Sequence, residues 1–274
     1  MPEQEGILIL GEHDGVSLST TTKEIIGVGK KLAGDLDQKL SIGLTGANLD
    51  QIGQEAIKYG AEKNKINVIR PAVRAELINM VISPKTQDSE KALKIISVGR
   101  CHWKKGYTFA LDAMVLLKTK GIKFCYNIIA GGKDDEYLDY QIHDLDLHKH
   151  VTIIHGLSHE EVINRIAISD LFLLPSVEEG ISNAVLESMA LGIPVISTDC
   201  GGMAEVIKNG KNGFIVPVRE SSLIATKIEA FISMKNEKLK IIKIAKETIK
   251  KQYLLEKQID KMNQFYYEIH CLNK

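Results

Sequence analysis

Two glutamates, Glu179 and Glu187, are separated by seven residues and stand between an apolar run and a second one. Glu179 lies in the turn after DLFLLPS, and Glu187 lies in the amphipathic segment that follows that turn. Carboxylates at such a junction can accept paired hydrogen bonds from the vicinal hydroxyl groups of a ribose or a hexose. In an alternative interpretation, the two acids only favour the N-terminal half of a helix, where the helix dipole stabilises negative charge.

Cations and glycines occupy comparable junctions elsewhere in the chain. The stretch ISVGRCHWKKGY places Gly99 and Arg100 at the end of a strand, and Lys105 and Gly106 at the start of a helix. Two cations together with the free amide groups of a helix N-terminus form a site suited to a diphosphate. The pair Gly201–Gly202 follows the apolar run PVIST and lets the backbone come close to a ligand.

Short β-branched runs alternate with longer amphipathic segments, a pattern typical of an α/β fold with a mostly parallel sheet. Residues 107–118 and 159–167 have apolar residues at helical spacing. The predicted strands are GILIL, KLSIGL, INVIR, LKIISVG, FCYNIIAG, VTIIHG, DLFLLPS and PVIST. Asn183 or Ser182 caps the helix that carries Glu187, and Gly192 and Pro194 end it. Both glutamates then face the carboxyl ends of the strands, where open α/β sheets bind ligands.

The composition is that of a globular protein with a charge balance of zero. The chain has 274 residues, of which 44% are hydrophobic, and 35 basic residues balance 35 acidic ones. This balance gives no reason to expect nucleic acid as a partner. The four cysteines are widely spaced and predict free thiols in a reducing compartment. The start MPEQEG is unlike a signal peptide, so we expect a cytoplasmic protein.

A polar linker at residues 83–90 predicts two parts, residues 1–82 with a βαβαβ pattern and residues 91–274. The second part ends in a Lys-rich helical segment, residues 221–273. Its apolar stripe consists of Ile224, Ile228, Phe231, Ile232, Ile241 and Ile242. We expect these helices to form a pair that packs on the domain. A peripheral membrane contact is the alternative, because lysines flank the apolar stripe.

Metal is not predicted. The histidines at 143, 148, 150, 155 and 159 are close in sequence but lack a helical HxxxH pair and supporting cysteines. Asp134 and Asp135 are interpreted as residues that favour the start of the next helix.

Several motifs in order carry a family resemblance from about residue 67 onwards. They are VIRPAV, VGR with KG, IIAGG, VTIIHGLSHEEV, SDLFLLPSVEEGISNAVLESMALGIPVISTD, GGMAEVI and NGKNGFIVP. The chain resembles the C-terminal, donor-binding domain of the family 4 (group 1) glycosyltransferases, which have the two-Rossmann GT-B architecture. The resemblance implies a Rossmann-like domain with a parallel sheet and C-terminal helices, which binds a nucleotide diphosphate sugar and retains the anomeric configuration on transfer.

The resemblance also implies roles for single residues. Arg100 and Lys105, with Gly99 beside them, bind the pyrophosphate and neutralise the leaving group. Glu187 accepts hydrogen bonds from the ribose, and Glu179 lies near the hydroxyl groups of the transferred sugar. Backbone amides of Gly180, Ile181 and Ser182 complete the diphosphate site. No cofactor and no essential metal are implied.

Residues 6–63 resemble a different family. The pattern ILILGEHDG, a helix, a second strand with a Gly-containing loop, and YGAEK are similar to the start of the electron-transfer flavoprotein α subunit. The chain is therefore interpreted as composite, with a short flavodoxin-like βαβα segment before the glycosyltransferase domain. The flavin-binding half of that family has no counterpart here, and His13, within this pattern, is not assigned the role of the His that approaches the sugar in family 4 enzymes.

The resemblance to GT-B enzymes implies a complete N-terminal Rossmann-like domain that binds the acceptor. The first part of this chain, about eighty residues, is roughly half the length of such a domain. Three interpretations of function follow. The chain is a glycosyltransferase acting on an unknown acceptor, or it is a nucleotide-sugar-binding module that needs a partner chain to supply the acceptor domain. An electron-transfer function is the third and least favoured interpretation.

Overall fold

The computed structural model describes residues 7–12, 17–38, 40–45, 49–59, 68–80, 92–131, 136–234 and 236–271. The strands are β1 (Ile7–Gly11), β2 (Leu40–Thr45), β3 (Val68–Ile69), β4 (Leu93–Arg100), β5 (Phe124–Gly131), β6 (Val151–His155), β7 (Leu171–Leu174), β8 (Val195–Thr198) and β9 (Phe214–Val216). The helices are α1 (Thr20–Asp35), α2 (Leu49–Tyr59), α3 (Glu76–Asn79), α4 (Tyr107–Thr119), α5 (Glu136–Asp144), α6 (His159–Ala167), α7 (Asn183–Leu191), α8 (Met203–Val206), α9 (Ser221–Ser233), α10 (Asn236–Gln252) and α11 (Leu255–Cys271).

The strands and helices alternate, and the ladders between the described strands are parallel, which confirms the predicted α/β fold. The chain divides into two compact units, residues 1–72 with 253–274, and residues 73–252. Each unit has its own sheet.

The first unit contains a three-stranded sheet in the order β1-β2-β3. Helix α1 begins after Ser19, whose hydroxyl accepts a hydrogen bond from the Thr22 amide (3.1 Å). Its buried residue Ile26 packs in an apolar core with Ile9, Ile42 and Ile52. The strands follow one another in a single direction across this sheet, so both βα crossovers run the same way.

The second unit contains a six-stranded sheet in the order β6-β5-β4-β7-β8-β9. The chain moves outward from β4 to β6, returns to the other side of β4, and then moves outward again from β7 to β9. The strand order therefore reverses between β4 and β7. All residues of β7 and β8 are buried, as expected for central strands of a parallel sheet covered on both faces.

The C-terminal segment differs from its prediction in two ways. It forms three helices, α9, α10 and α11, instead of a pair. Residues 253–274 belong to the first unit, whereas the sequence interpretation placed them with residues 91–252. The physical reason is a pairing distant in sequence, because the Arg70 amide donates a hydrogen bond to the Gln258 side-chain oxygen on α11 (3.0 Å).

The apolar stripe predicted in this segment is largely buried. Ile224, Ile228 and Phe231 of α9 and Ile241 of α10 lie in the core of the second unit. Among the described helices, none is both long and apolar enough to cross a bilayer. The polar linker at residues 83–90 lies outside the described residues.

Candidate functional site

The loop after β4 contacts the residues that directly follow β7. After Arg100, a 3₁₀ turn at Trp103–Lys105 leads to Gly106, which has φ of 63° and precedes α4. A Cβ atom at Gly106 would lie 2.1 Å from the carbonyl oxygen of Pro175. Only glycine fits here, since the position requires both a positive φ and the absence of a side chain.

Lys104 ties the same loop to the residues after β7. Its carbonyl oxygen accepts a hydrogen bond from the Val177 amide (2.7 Å), and its ammonium pairs with the exposed Glu178 (2.8 Å). The backbone contact fixes the two loops relative to each other, while the exposed ion pair adds little.

The loop after β8 is attached to the loop after β7 in a similar way. The Glu179 amide donates to the Cys200 carbonyl (2.7 Å), and the Gly202 amide donates to the Glu179 carbonyl (3.2 Å). Gly201 has φ of 105°, and a Cβ there would lie 2.5 Å from the Glu179 oxygen. Three loops at the carboxyl ends of β4, β7 and β8 thus form one connected edge, at the point where the strand order reverses.

Lys105 and Glu179 meet at this edge. The Lys105 ammonium donates to a carboxylate oxygen of Glu179, and each side chain is about one-fifth exposed (20% and 20%). The Ser176 hydroxyl is a distant donor to the same carboxylate oxygen (3.5 Å). Lys105, the residue predicted to bind the diphosphate, and Glu179, the residue predicted to lie near the sugar, are therefore paired with each other.

Gly99 lies beside the side chain of Lys105. A Cβ atom on Gly99 would lie 3.0 Å from the Tyr107 hydroxyl and 3.1 Å from Cε of Lys105. The glycine leaves room for two side chains that cross the end of β4. Sequence interpretation named Gly99 and Lys105 but missed Tyr107, although its place in the first turn of α4 was a usable signal.

Arg100 ends β4 with an exposed side chain. Within the ranges that the structure describes, no acidic side chain forms an ion pair with it. Its stem lies near Gly131 at the end of β5, where a Cβ would be 4.0 Å from Cγ of Arg100. A cation at this edge is thus available to an anionic ligand.

The start of α7 presents backbone amide groups at the same edge. Ser182 precedes α7, and its side chain makes no capping hydrogen bond. Ile181 and Ser182 are buried (9% and 7% exposed), while Gly180 is exposed with open space where a Cβ would lie. Amide groups at such a helix N-terminus favour an anion.

Glu187 is held by a different partner. One of its carboxylate oxygens lies 2.8 Å from Nε2 of His159, the first residue of α6. Glu187 is 15% exposed and His159 is 72% exposed. Sequence interpretation considered His159 only as one of a group of histidines and missed this contact. Its position after β6, at the same edge of the sheet, was the available signal.

A cavity of about 360 Å³ opens beside the loop after β4. Trp103, Tyr107, Tyr137, Val177 and Arg219 are among the residues that line it. Sequence interpretation did not predict this cavity.

The structure groups no three acidic, histidine or cysteine side chains, among the residues it describes, in a way that could hold a metal ion. His148 lies 3.4 Å from Asp146, and the rings of His143 and His148 stack. His13, Asp134 and Asp135 lie outside the described residues.

Comparison with known proteins assigns most of the second unit to a family. Residues 81–248 match the family described as Glycosyl transferases group 1. Over 176 residues the chain is 34% identical to the amylovoran biosynthesis glycosyltransferase AmsK of Erwinia amylovora. The aligned region is 62% of this chain and 42% of AmsK. The chain therefore spans less than half the length of that relative.

Solved structures share the fold. A glycosyltransferase from Rickettsia africae aligns with a TM-score of 0.77 at 21% identity, over 96% of this chain and 70% of that one. HepE from Anabaena, crystallised in complex with UDP and glucose, aligns with a TM-score of 0.73 at 17% identity, over 96% of this chain and 71% of that one. The flavoprotein resemblance of residues 6–63 precedes the matched family region and stays a prediction. The chain belongs to the group 1 glycosyltransferase family and has a Rossmann-like GT-B fold.

Proposed function

We propose that this chain binds a nucleotide diphosphate sugar at the edge formed by the loops after β4, β7 and β8, and takes part in transfer of its glycosyl group with retention. The observation that carries the proposal is the meeting of Lys105 and Glu179 at the reversal of strand order. Open α/β sheets bind ligands at such a point. Family membership supports the same activity.

In this proposal the cations bind the diphosphate. Arg100 is free of a described acidic partner, and Lys105 can turn from Glu179 towards an incoming phosphate because both side chains are partly exposed. The amide groups at residues 180–182 supply further hydrogen bonds to the anion. The same groups stabilise the charge that develops on the departing diphosphate, and this is where the catalytic contribution arises.

The two glutamates orient the rest of the ligand. Glu187, fixed by His159, accepts hydrogen bonds from the ribose. Glu179, released by Lys105, accepts them from the sugar.

The first experiment is calorimetric titration of the protein with UDP, GDP and ADP and their glucose conjugates, with FAD as a control. UDP is the first probe, because the HepE structure was solved in complex with UDP and glucose. We expect one nucleotide diphosphate to bind saturably and FAD not to bind. Absence of binding by every nucleotide would contradict the proposal.

Neighbouring lysines supply a matched control. Lys105→Ala should weaken binding of the nucleotide diphosphate about 10–100-fold, because a hydrogen bond to a charged group contributes about 1.5–3 kcal/mol. Lys104→Ala removes a lysine whose partner is the exposed Glu178, so its affinity should stay within about twofold of the parent. Combining Arg100→Ala with Lys105→Ala should remove most of the affinity. Equal effects of the two lysine variants would contradict the assignment.

Catalysis is tested separately from binding. Release of UDP from UDP-glucose, with and without candidate acceptor sugars, distinguishes a transferase from a binding module that requires a partner chain to supply the acceptor surface. Binding without turnover would favour the second of these functions.

A further inference from the structure

A buried hydroxyl group lies at the start of α4. Tyr107 is 4% exposed, and its hydroxyl makes no hydrogen bond within the part of the chain that the structure describes. The other buried tyrosine nearby is different, since the Tyr126 hydroxyl lies 2.8 Å from the Ser97 hydroxyl. A buried polar group without a hydrogen bond costs free energy, so this donor gains stability from any acceptor that comes within reach.

The Tyr107 hydroxyl and the Lys105 side chain both border the same position at Gly99. Both the hydroxyl and Cε of Lys105 lie within 3.1 Å of the place where a Cβ on Gly99 would be. Burial raises the pKa of Tyr107 well above its ordinary value, and Tyr126, Cys101 and the Glu179 carboxylate raise it further. The phenol therefore keeps its proton and remains a hydrogen-bond donor that is subject to the charge of the Glu179 carboxylate.

The Lys105 ammonium cannot pair closely with Glu179 and with a diphosphate at the same time. In the ligand-free structure its ammonium binds Glu179, and in the proposed function it binds a diphosphate. When Lys105 turns to the phosphate, the Glu179 carboxylate, which is only one-fifth exposed, loses its cation. The remaining described side-chain donor, the Ser176 hydroxyl, is 3.5 Å away. A partly buried carboxylate in this situation requires another donor.

We propose that Tyr107 is that donor: when Lys105 leaves Glu179 for the diphosphate, the Tyr107 hydroxyl donates a hydrogen bond to the Glu179 carboxylate and holds it towards the sugar. Tyr107 is thus a positioning residue that acts through Glu179. The inference rests on the proposed function for its ligand. The exchange of partners itself involves only this chain's own residues.

A double-mutant cycle of Tm values, measured without ligand, tests whether Tyr107 replaces Lys105 as the partner of Glu179. We call it the stability cycle. Lys105→Met removes the ammonium but keeps an apolar stem over Gly99, which mimics the departure of Lys105 from Glu179. In the parent, Tyr107→Phe removes an unpartnered hydroxyl and should leave the Tm unchanged or slightly raised. In the Lys105→Met background, the same change should lower the Tm by about 2 °C or more, because it removes the new partner of Glu179.

Tyr126→Phe is the matched control, since it removes a buried hydroxyl that already has a partner. It should lower the Tm equally in both backgrounds. The same Tm effect of Tyr107→Phe in the parent and in the Lys105→Met protein would overturn the proposal.

Titration with UDP and with UDP-glucose gives a second readout. Tyr107→Phe should raise the Kd for UDP-glucose relative to the Kd for UDP by about fivefold, because Glu179 faces the sugar and not the nucleotide. Tyr126→Phe should leave this ratio unchanged. Equal weakening of both ligands by Tyr107→Phe would assign the tyrosine a structural role and overturn the proposal. If the parent binds no nucleotide, the proposed function fails, and the stability cycle still decides whether Tyr107 replaces Lys105 at Glu179.

Discussion

The two units of this chain use the same parallel βα construction and differ in how the strands succeed one another. In the first unit the order β1-β2-β3 runs in one direction, whereas in the second unit the order reverses between β4 and β7. Reversal opens a crevice because the loops of the two central strands leave in opposite directions. The paired Lys105 and Glu179 belong to these two loops.

Helix α1 of the first unit and the central strands of the second unit differ in how much of their apolar surface is buried. In the first unit, Ile25, Val28, Leu32 and Leu36 on and next to α1 are all more than two-fifths exposed (44%, 68%, 46% and 55%). In the second unit every residue of β7 and β8 is buried. The loops that carry Glu179 and Gly201 thus follow strands that are buried along their whole length, and side chains supported by packed elements can be placed precisely.

Core truncation in each unit gives the largest expected difference. Ile95 in β4 and Ile26 in α1 are both fully buried. Each change to alanine should lower the free energy of unfolding by about 2–5 kcal/mol. Hydrogen exchange should rise in β4 and β5 for Ile95→Ala and in β1 and β2 for Ile26→Ala, and only Ile95→Ala should weaken nucleotide binding. Equal exchange in both sheets for either variant would remove the distinction between the units.

Gly106 and Gly121 sharpen the comparison within the second unit. Both have positive φ (63° and 71°), but a Cβ meets the Pro175 oxygen at 2.1 Å in the first case and nothing within 4 Å in the second. Gly121→Ala should cost about 1 kcal/mol for backbone conformation alone. Gly106→Ala should cost at least about 2 kcal/mol and weaken nucleotide binding, because the loop after β4 must move away from β7.

Denaturant unfolding and titration of both variants measure this difference. Similar losses of stability, with unchanged nucleotide affinity for both, would show that the contact between Gly106 and Pro175 does not position the site.

The sequence predicted most strands of the second unit because each forms a distinct apolar run, and it predicted the helices whose periodicity extends over several turns. The segment 159–167 is helical from end to end, and residues 93–99 form most of β4. Strand β9 was missed, since three residues carry no clear alternation. The assignment of residues 253–274 to the first unit also could not be read from local pattern, because it depends on a contact between Arg70 and Gln258.

In the site, too, the sequence predicts where residues lie along the sheet but not which side chains contact each other. That Lys105 and Glu179 lie at one edge of the sheet follows from the order of strands and motifs. That each is the other's partner depends on side-chain conformation, which spacing along the chain does not encode. The contact of His159 with Glu187 and the unpartnered hydroxyl of Tyr107 were missed for this reason.

Helix caps offer a smaller test that compares the units again. Ser158 caps α6 in a reciprocal arrangement, since Glu161 also accepts a hydrogen bond from the Ser158 amide (2.7 Å). Ser19 caps α1 and in addition donates to the Thr22 hydroxyl (2.8 Å). Each serine-to-alanine change should cost about 1 kcal/mol in denaturant unfolding.

We expect Ser19→Ala to have the larger effect. Glu161 keeps its bond to the Ser158 amide after Ser158→Ala, whereas Ser19→Ala also loosens Thr22, which accepts a hydrogen bond from the Glu12 amide (2.7 Å). A larger loss for Ser158→Ala would contradict this ranking.

Acid titration should give the smallest effect and separate the two units by their carboxylates. The Leu18 amide, followed by Lys23, lowers the pKa of Glu55 in the first unit. The Ser158 hydroxyl and amide lower the pKa of Glu161 in the second. A carboxyl group with a depressed pKa in the folded state contributes stability above its unfolded pKa, and this contribution is lost as the pH falls through the folded value.

Glu55→Gln should therefore lower the Tm slightly at neutral pH, and its difference from the parent should vanish once the pH falls below the folded pKa of Glu55, which is lower than that of an ordinary glutamate. Glu161→Gln should behave in the same way, but with its change in hydrogen exchange confined to α6. The two carboxylates thus stabilise different units by the same mechanism. A Tm difference for Glu55→Gln that persists undiminished at low pH would show that packing of the side chain, and not its charge, connects α2 to the start of α1.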